Sequence, residues 1–173
     1  MQTLYSAEQI ADRVRELGAE IGRVYADRPL TVVGVLHGSV VLVADLIRAI
    51  PIPHQIAFVR ASSYRGATTQ GENLELSLDG LPDLAGRDVL LIDDIFDTGR
   101  TLAALAHEIQ RQRQPVSLKT VVLLWKVDRR EVPAVPDYYG FQIPDAFVVG
   151  YGLDYDGNYR HLPEIAILEA ADL

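Results

Sequence analysis

Asp93, Asp94 and Asp97 crowd three carboxylates into five positions, directly after the apolar run Val89-Leu90-Leu91-Ile92 and directly before Thr98-Gly99-Arg100-Thr101. A branched apolar run bounded by turn formers reads as a strand buried on both faces of a parallel sheet. Acids at the end of such a strand cost free energy unless something pairs with them, so their clustering where a sheet opens to solvent points to a site. Past the turn, Leu102, Leu105, Ala106 and Ile109 repeat at helical spacing, which completes a strand, acidic loop and helix. The first turn of a helix leaves backbone N–H groups unpaired and carries partial positive charge, so a phosphate can sit against Thr98, Gly99, Arg100 and Thr101. Gly99 admits close approach and the two threonine hydroxyls add donors, while the acceptor-only carboxylates of Asp93 and Asp94 suit vicinal sugar hydroxyls or a magnesium shell. A phosphate beside a diol describes a ribose 5-phosphate.

Competing phosphate chemistries need other spacings. A Walker loop requires Gly, four residues and then Gly-Lys-Ser/Thr, and a dinucleotide fold requires Gly-x-Gly-x-x-Gly; neither string occurs. A phosphatase of the Asp-x-Asp type needs acids two apart, whereas these lie one and three apart. A response-regulator acid pair leaves the 97–101 turn without a purpose. The plainer account, in which the acids cap a helix and solvate a loop, suits one Asp before a helix better than three.

The scaffold for these residues can be read along the chain. Ser6-Ala7-Glu8-Gln9 is a capping box, followed by Ile10, Val14, Leu17, Ile21 and Val24 at helical spacing. Leu30 to Leu36 is a second buried strand, turning at His37-Gly38-Ser39 into a helix with Val40, Val43, Leu46 and Ile47. Ile56 to Val59 and Ser117 to Trp125 add strands, with a helix over 101–112 ahead of the latter, and Ile165 to Leu168 closes the chain as a strand or core contact before a frayed 169–173. Strands alternating with helices predict an α/β fold with a doubly wound, mainly parallel sheet.

At 173 residues, 49% hydrophobic and 23% charged, the chain suits one domain with a real core. A net charge of −8 without a Lys/Arg run argues against a nucleic-acid partner. The absence of cysteine excludes disulfides and thiolate metal sites. The first residues carry no charged region followed by an apolar core, and no apolar run reaches membrane-spanning length, so a cytoplasmic protein with no membrane partner is expected.

Other stretches carry weaker signals. The polar segment Ser62 to Glu72 is long for a compact domain and reads as a lid, with an ordinary surface hairpin as its alternative. The His37-Gly38 turn at a helix start can hold an anion through its amides. Lys126 at a strand end is by itself a snorkelling lysine, and Phe147 and Val148 are by themselves core strand.

The run from Val89 to Thr101 closely resembles the phosphoribosyl-pyrophosphate (PRPP) motif of the type I phosphoribosyltransferases, and nearly the whole chain is similar to the branch acting on 6-oxopurines. The resemblance implies that family's fold over residues 1–173 as one domain, with a hood over the C-terminal sheet edge formed by the N- and C-terminal segments and a mobile loop at about 62–75. It implies transfer of phosphoribosyl from PRPP to hypoxanthine or guanine with Mg2+. Asp93, Asp94 and the 97–101 turn would hold ribose and 5-phosphate; His37, Gly38 and Arg160 would hold diphosphate; Ser63 and Tyr64 would form the lid. Asp97 would serve as general base near purine N7. Lys126 would donate to the 6-oxygen, Phe147 would stack on the purine, Val148 would read its edge through the backbone, and Asp154 would stand near purine and metal together with Asp93 and Asp94. His37 departs from the lysine frequent at that position, and an imidazole offers fewer donors than an ammonium. Any cis peptide between Leu36 and His37 is implied by the resemblance alone. The family also implies a homodimer or homotetramer. Two other readings share the fold: an RNA-binding regulator that keeps the PRPP site, which would need a basic face, and a transferase for xanthine or another base.

Overall fold

The computed structural model describes residues 1–64 and 73–169. Nine strands and three helices follow one another as β1 (Gln2–Tyr5), α1 (Ala7–Val24), β2 (Leu30–Leu36), α2 (Val40–Ala49), β3 (His54–Tyr64), β4 (Asn73–Ser77), β5 (Asp88–Phe96), α3 (Arg100–Arg113), β6 (Ser117–Lys126), β7 (Tyr138–Ile143), β8 (Val148–Val149) and β9 (Ile165–Ile167) among the described residues. The main sheet has the order β4-β3-β2-β5-β6-β7. All its pairs are parallel except β3 with β4. Strand order reverses between β2 and β5, and a doubly wound sheet opens a crevice at that point, outside the carboxyl ends of its strands.

Alternation along the central strands sets the two layers. Val32, Leu90, Ile92, Val121 and Leu123 face α1 and α2, where Ile10, Val14, Leu17, Ile21, Leu42, Val43 and Leu46 complete one core. Val33, Val35, Val89, Leu91 and Val122 face α3 through Leu102, Leu105 and Ile109. Burial on both sides is why β2 and β5 read as continuous apolar runs. The capping box forms as expected: the Ser6 hydroxyl accepts from Gln9 N at 3.2 Å and the Gln9 side chain accepts from Ser6 N at 2.9 Å. Val24, expected on the apolar stripe of α1, is exposed, and Tyr25 fills the buried position beyond the helix end. Val40 is likewise exposed at the start of α2.

Part of the stretch expected as a loop over about 62–75 is strand. β3 leaves β2 after the Leu36–Arg60 pair, and its backbone groups then find partners in β4 from Arg60–Ser77 out to Tyr64–Asn73. Residues 65–72, the rest of that loop, lie outside the described residues.

A second sheet, β1-β9-β8, is antiparallel and joins the first strand of the chain to its last described strands. Tyr5 ties it to the main sheet by stacking on Phe141 of β7, ring centroids 3.9 Å apart, and by donating its hydroxyl to Gln142 O at 3.3 Å. Arg13 of α1 holds the same edge strand through the carbonyls of Gly140 and Tyr139.

Candidate active site

The end of β5 and the start of α3 enclose a cavity of about 210 Å³ lined by Asp93, Asp94, Asp97, Thr98, Gly99 and Thr101. Gly99 sits at the N-cap of α3 with φ 84°, and a Cβ there would meet the Phe96 ring at 2.3 Å and Val132 at 2.6 Å. Only glycine satisfies both the left-handed backbone and that packing. Among the described residues, the amides of Thr98, Gly99 and Thr101 donate to no protein group, so they are available to an anion. The Arg100 amide meets the Thr98 hydroxyl at 3.4 Å. The Arg100 guanidinium pairs with Glu131 and does not line the cavity, so this residue can serve the site through its backbone and not its charge.

Asp93 and Asp94 are half-buried side by side. Asp93 accepts from the amide of Asp94 at 3.0 Å, and Asp94 from that of Ile95 at 2.7 Å. Burial, followed by the charge of Asp94, holds the Asp93 carboxyl well above the ordinary range. Burial also raises Asp94, against the opposing pull of hydrogen bonds and of Arg160. The turn after β2 abuts this pair: the Leu36–His37 peptide is cis, and a Cβ on Gly38 would lie 1.7 Å from Asp94 Oδ2. His37 is exposed and Ser39 is buried, its hydroxyl donating to Val35 O at 2.5 Å.

A second cavity, about 240 Å³, adjoins the first and shares Asp94 and Asp97 with it. Lys126, Phe147, Val148, Leu153 and Asp154 complete its lining. Lys126 is 8% exposed, far from the wet head of a snorkelling lysine; Phe147 is 51% exposed, an open ring face, held edge-on by Tyr155 at 5.4 Å. Asp97 accepts from Arg129 Nε at 3.0 Å and faces Lys126 Nζ at 3.6 Å. Asp154 is paired with Arg160 at 2.7 Å, and Arg160 also donates to Gly152 O at 2.6 Å.

The structure therefore gathers Asp93, Asp94, Asp97, Thr98, Gly99, Thr101, Lys126, Phe147, Val148 and Asp154 around two joined cavities, with Gly38 packed behind Asp94. Ser63 and Tyr64 end β3, and the loop that follows them lies outside the described residues. Sequence reading passed over Arg129 and Asp145, which flank Asp97 and Lys126. Their charge was the signal the sequence offered; the 3₁₀ turn Val127–Arg129 that follows Lys126 is seen in the structure. Among the described residues no three His or acidic groups stand together as a metal site.

A crevice at the switch point of a parallel sheet, with free helix-start amides beside acids, defines the class of α/β proteins that bind sugar phosphates and nucleotides. The phosphoribosyl transferase domain model matches residues 1–156. Hypoxanthine-guanine phosphoribosyltransferase of Bacillus subtilis is 42% identical over 98% of this chain and 94% of its own length. The crystal structure of a hypoxanthine phosphoribosyltransferase from Staphylococcus aureus superposes with a TM-score of 0.90 at 40% identity, covering 98% of this chain and 91% of that one. A variant of the hypoxanthine phosphoribosyltransferase of Trypanosoma cruzi, solved as a ternary substrates complex, gives 0.90 at 38% identity over 99% and 97%. The chain belongs to the phosphoribosyltransferase family.

Proposed function

We propose that this chain is a purine salvage enzyme that transfers the 5-phosphoribosyl group of PRPP to N9 of hypoxanthine or guanine, giving IMP or GMP and diphosphate. The observation that carries this is the pair of joined cavities: one offers amides and hydroxyls to a phosphate, the other an ammonium and an open aromatic face to a base, and Asp94 and Asp97 border both. The 97–101 amides hold the 5-phosphate, and the carboxylates of Asp93 and Asp94 accept from the ribose hydroxyls directly or through metal. Lys126 donates to the 6-oxygen of the base; an adenine amino group there would set donor against donor. Phe147 stacks on the purine and the backbone of Val148 meets its edge. Departure of diphosphate develops positive charge on the sugar, so the enzyme's work is to align base and sugar and keep water out. Asp97 takes the proton that the base loses.

Arg160 and the His37-Gly38 turn receive the diphosphate, Arg160 exchanging its present carboxylate partner for the incoming anion. Ser63 and Tyr64 lead into the segment that closes over the site. Asp93, Asp94 and Asp154 would hold Mg2+, a cation that takes one or two carboxylates and otherwise keeps water and phosphate oxygens. When bound, the ion would supply positive charge to offset that of the leaving diphosphate. The chain works as one domain over 1–173, hooded by its terminal segments, as a homodimer or homotetramer in the cytoplasm; no helix among the described residues is long and apolar enough to cross a membrane.

The test is a panel of bases with PRPP and Mg2+, with nucleotide formation followed by absorbance. Turnover is expected with hypoxanthine and guanine and not with adenine or uracil; the reverse pattern overturns the substrate assignment. Xanthine turnover exceeding both would move the preference within the 6-oxopurines. An RNA-binding role has no support in a chain of net charge −8.

A further inference from the structure

We propose that Arg129 is a positioning residue for base recognition, holding the carboxylates of Asp97 and Asp145 off the Lys126 ammonium so that its protons are left for the base. This rests on the reading of Lys126 given above. Two cations and two anions form a closed ring. Arg129 reaches Asp97 Oδ1 at 3.0 Å and Asp145 Oδ2 at 3.5 Å, while Lys126 Nζ stands 3.6 Å from Asp97 Oδ2 and 3.5 Å from Asp145 Oδ1. Each carboxylate thus gives one oxygen to each cation. Arg129 makes a close hydrogen bond to Asp97, whereas its contact with Asp145 and both contacts of Lys126 stand at 3.5–3.6 Å, so Lys126 is held at ion-pair range between two opposed attractions. Among the described residues, its three donors therefore make ion pairs but no close hydrogen bond.

Without the guanidinium, one ammonium, itself only 8% exposed, would face two carboxylates. The acids would close on Lys126 as direct hydrogen-bond acceptors, and a base carbonyl would have to compete with them. Asp97 would at the same time be drawn from the base toward Lys126. A planar fork can serve two acids at once where a single ammonium cannot, which favours arginine at this position. The residue is also delivered from a fixed place: the 3₁₀ turn Val127–Arg129 leads into Glu131, whose amide donates to Thr98 O at 2.9 Å and whose carboxylate pairs with Arg100, and into Val132, which packs on Gly99. The segment that carries Arg129 is thereby latched onto the phosphate turn. Arg129, Asp97 and Asp145 are each partly exposed, and pairs of that kind add little to stability, so a loss of function on removing Arg129 should not be a loss of fold.

Steady-state kinetics of Arg129→Ala, Arg129→Lys and Asp145→Asn in the full chain, with KM measured separately for hypoxanthine and PRPP, test this. Arg129→Ala is expected to raise the hypoxanthine KM about tenfold or more, leave the PRPP KM within about twofold, and barely move the melting temperature. Arg129→Lys should recover part of the loss, and so should free guanidinium added to Arg129→Ala. Adding Asp145→Asn to Arg129→Ala should lower the hypoxanthine KM again, because one competitor for the ammonium is gone; a residue that only props up the fold would give no such rescue. An unchanged hypoxanthine KM in Arg129→Ala, or equal losses for both substrates, would overturn the role of Arg129. Should Arg129→Ala not fold, the comparison of Arg129→Lys with its Asp145→Asn double variant decides by the same criterion. A wild-type chain that transfers to no 6-oxopurine would instead remove the reading beneath it.

Discussion

Asp93 and Asp94 meet near the end of β5, each accepting from one backbone amide, and burial of both, with the charge of Asp94 acting on Asp93, makes a proton welcome there. The sign of the linkage follows. Below the ordinary carboxylate range both folded and unfolded chains are protonated; above it the unfolded chain ionises first and holds fewer protons, so stability falls as pH rises through the raised range of the pair. A ligand that wants the ionised form reverses this by expelling protons. Titration calorimetry of PRPP with Mg2+ in buffers of different ionisation enthalpy should show proton release, with affinity weakening in acid and the release shrinking in Asp93→Asn. A binding enthalpy independent of buffer would contradict it. Asp97, one turn further on, has a different task and a different signature. Asp97→Asn should lower kcat by about 10²–10⁴, the usual worth of a positioned acid or base, with the PRPP KM nearly unchanged. A variant with full turnover would take Asp97 out of proton transfer.

Among the elements, the legible ones were those whose reasons are local. Val89 to Ile92 is apolar on both faces and bounded by turn formers, α1 carries its own capping box, and the Gly99 turn stands between them and a helical repeat, so strand, site and helix could be read from neighbours in the chain. β1 and β7 were not legible. β1 is four residues long and exists because β9, from the far end of the chain, pairs with it; β7 carries Gly140 within an edge strand. Nor could any local pattern show that Gly38 packs on Asp94, since that contact joins a turn to a strand more than fifty residues further along the chain. It has a measurable consequence. Gly38→Ala places a Cβ 1.7 Å from Asp94 Oδ2, so the carboxylate must swing aside or the turn must lift. Either displaces the carboxylate proposed to hold ribose and metal, and the PRPP KM should rise about tenfold or more while the hypoxanthine KM changes less. Equal effects on the two substrates would place the damage elsewhere.

At the scale of the whole molecule, the two ends of the main sheet divide the labour. The carboxyl ends of β2, β5 and β6 present the His37-Gly38 turn, the acids and Lys126, the groups proposed to meet the ligands. The opposite ends are satisfied internally. Asp88, 3% exposed and in register with Leu30 and Ser117, accepts from Arg28 at 2.9 and 2.6 Å and from the Ser117 hydroxyl, while its amide donates to Pro29 O. Arg87 beside it donates to the buried Thr31 hydroxyl at 2.7 Å and to Leu30 O. These bonds staple the loops that feed three central strands, so the register that sets the acids at one end is secured at the other. Asp88→Ala leaves Arg28 and Ser117 without their acceptor and should cost about 3 kcal/mol, the lower end for breaking a buried pair because Arg28 is partly wetted, or roughly 6–12 °C in melting temperature. Since five to six residues of β5, about 17–20 Å, separate Asp88 from Asp93 and Asp94, both KM values and the turnover per folded molecule should stay at wild-type values. Thermal melts paired with active-site titration separate the two quantities, and a selective fall in kcat at an unchanged melting temperature would show that the ends of the sheet are not independent.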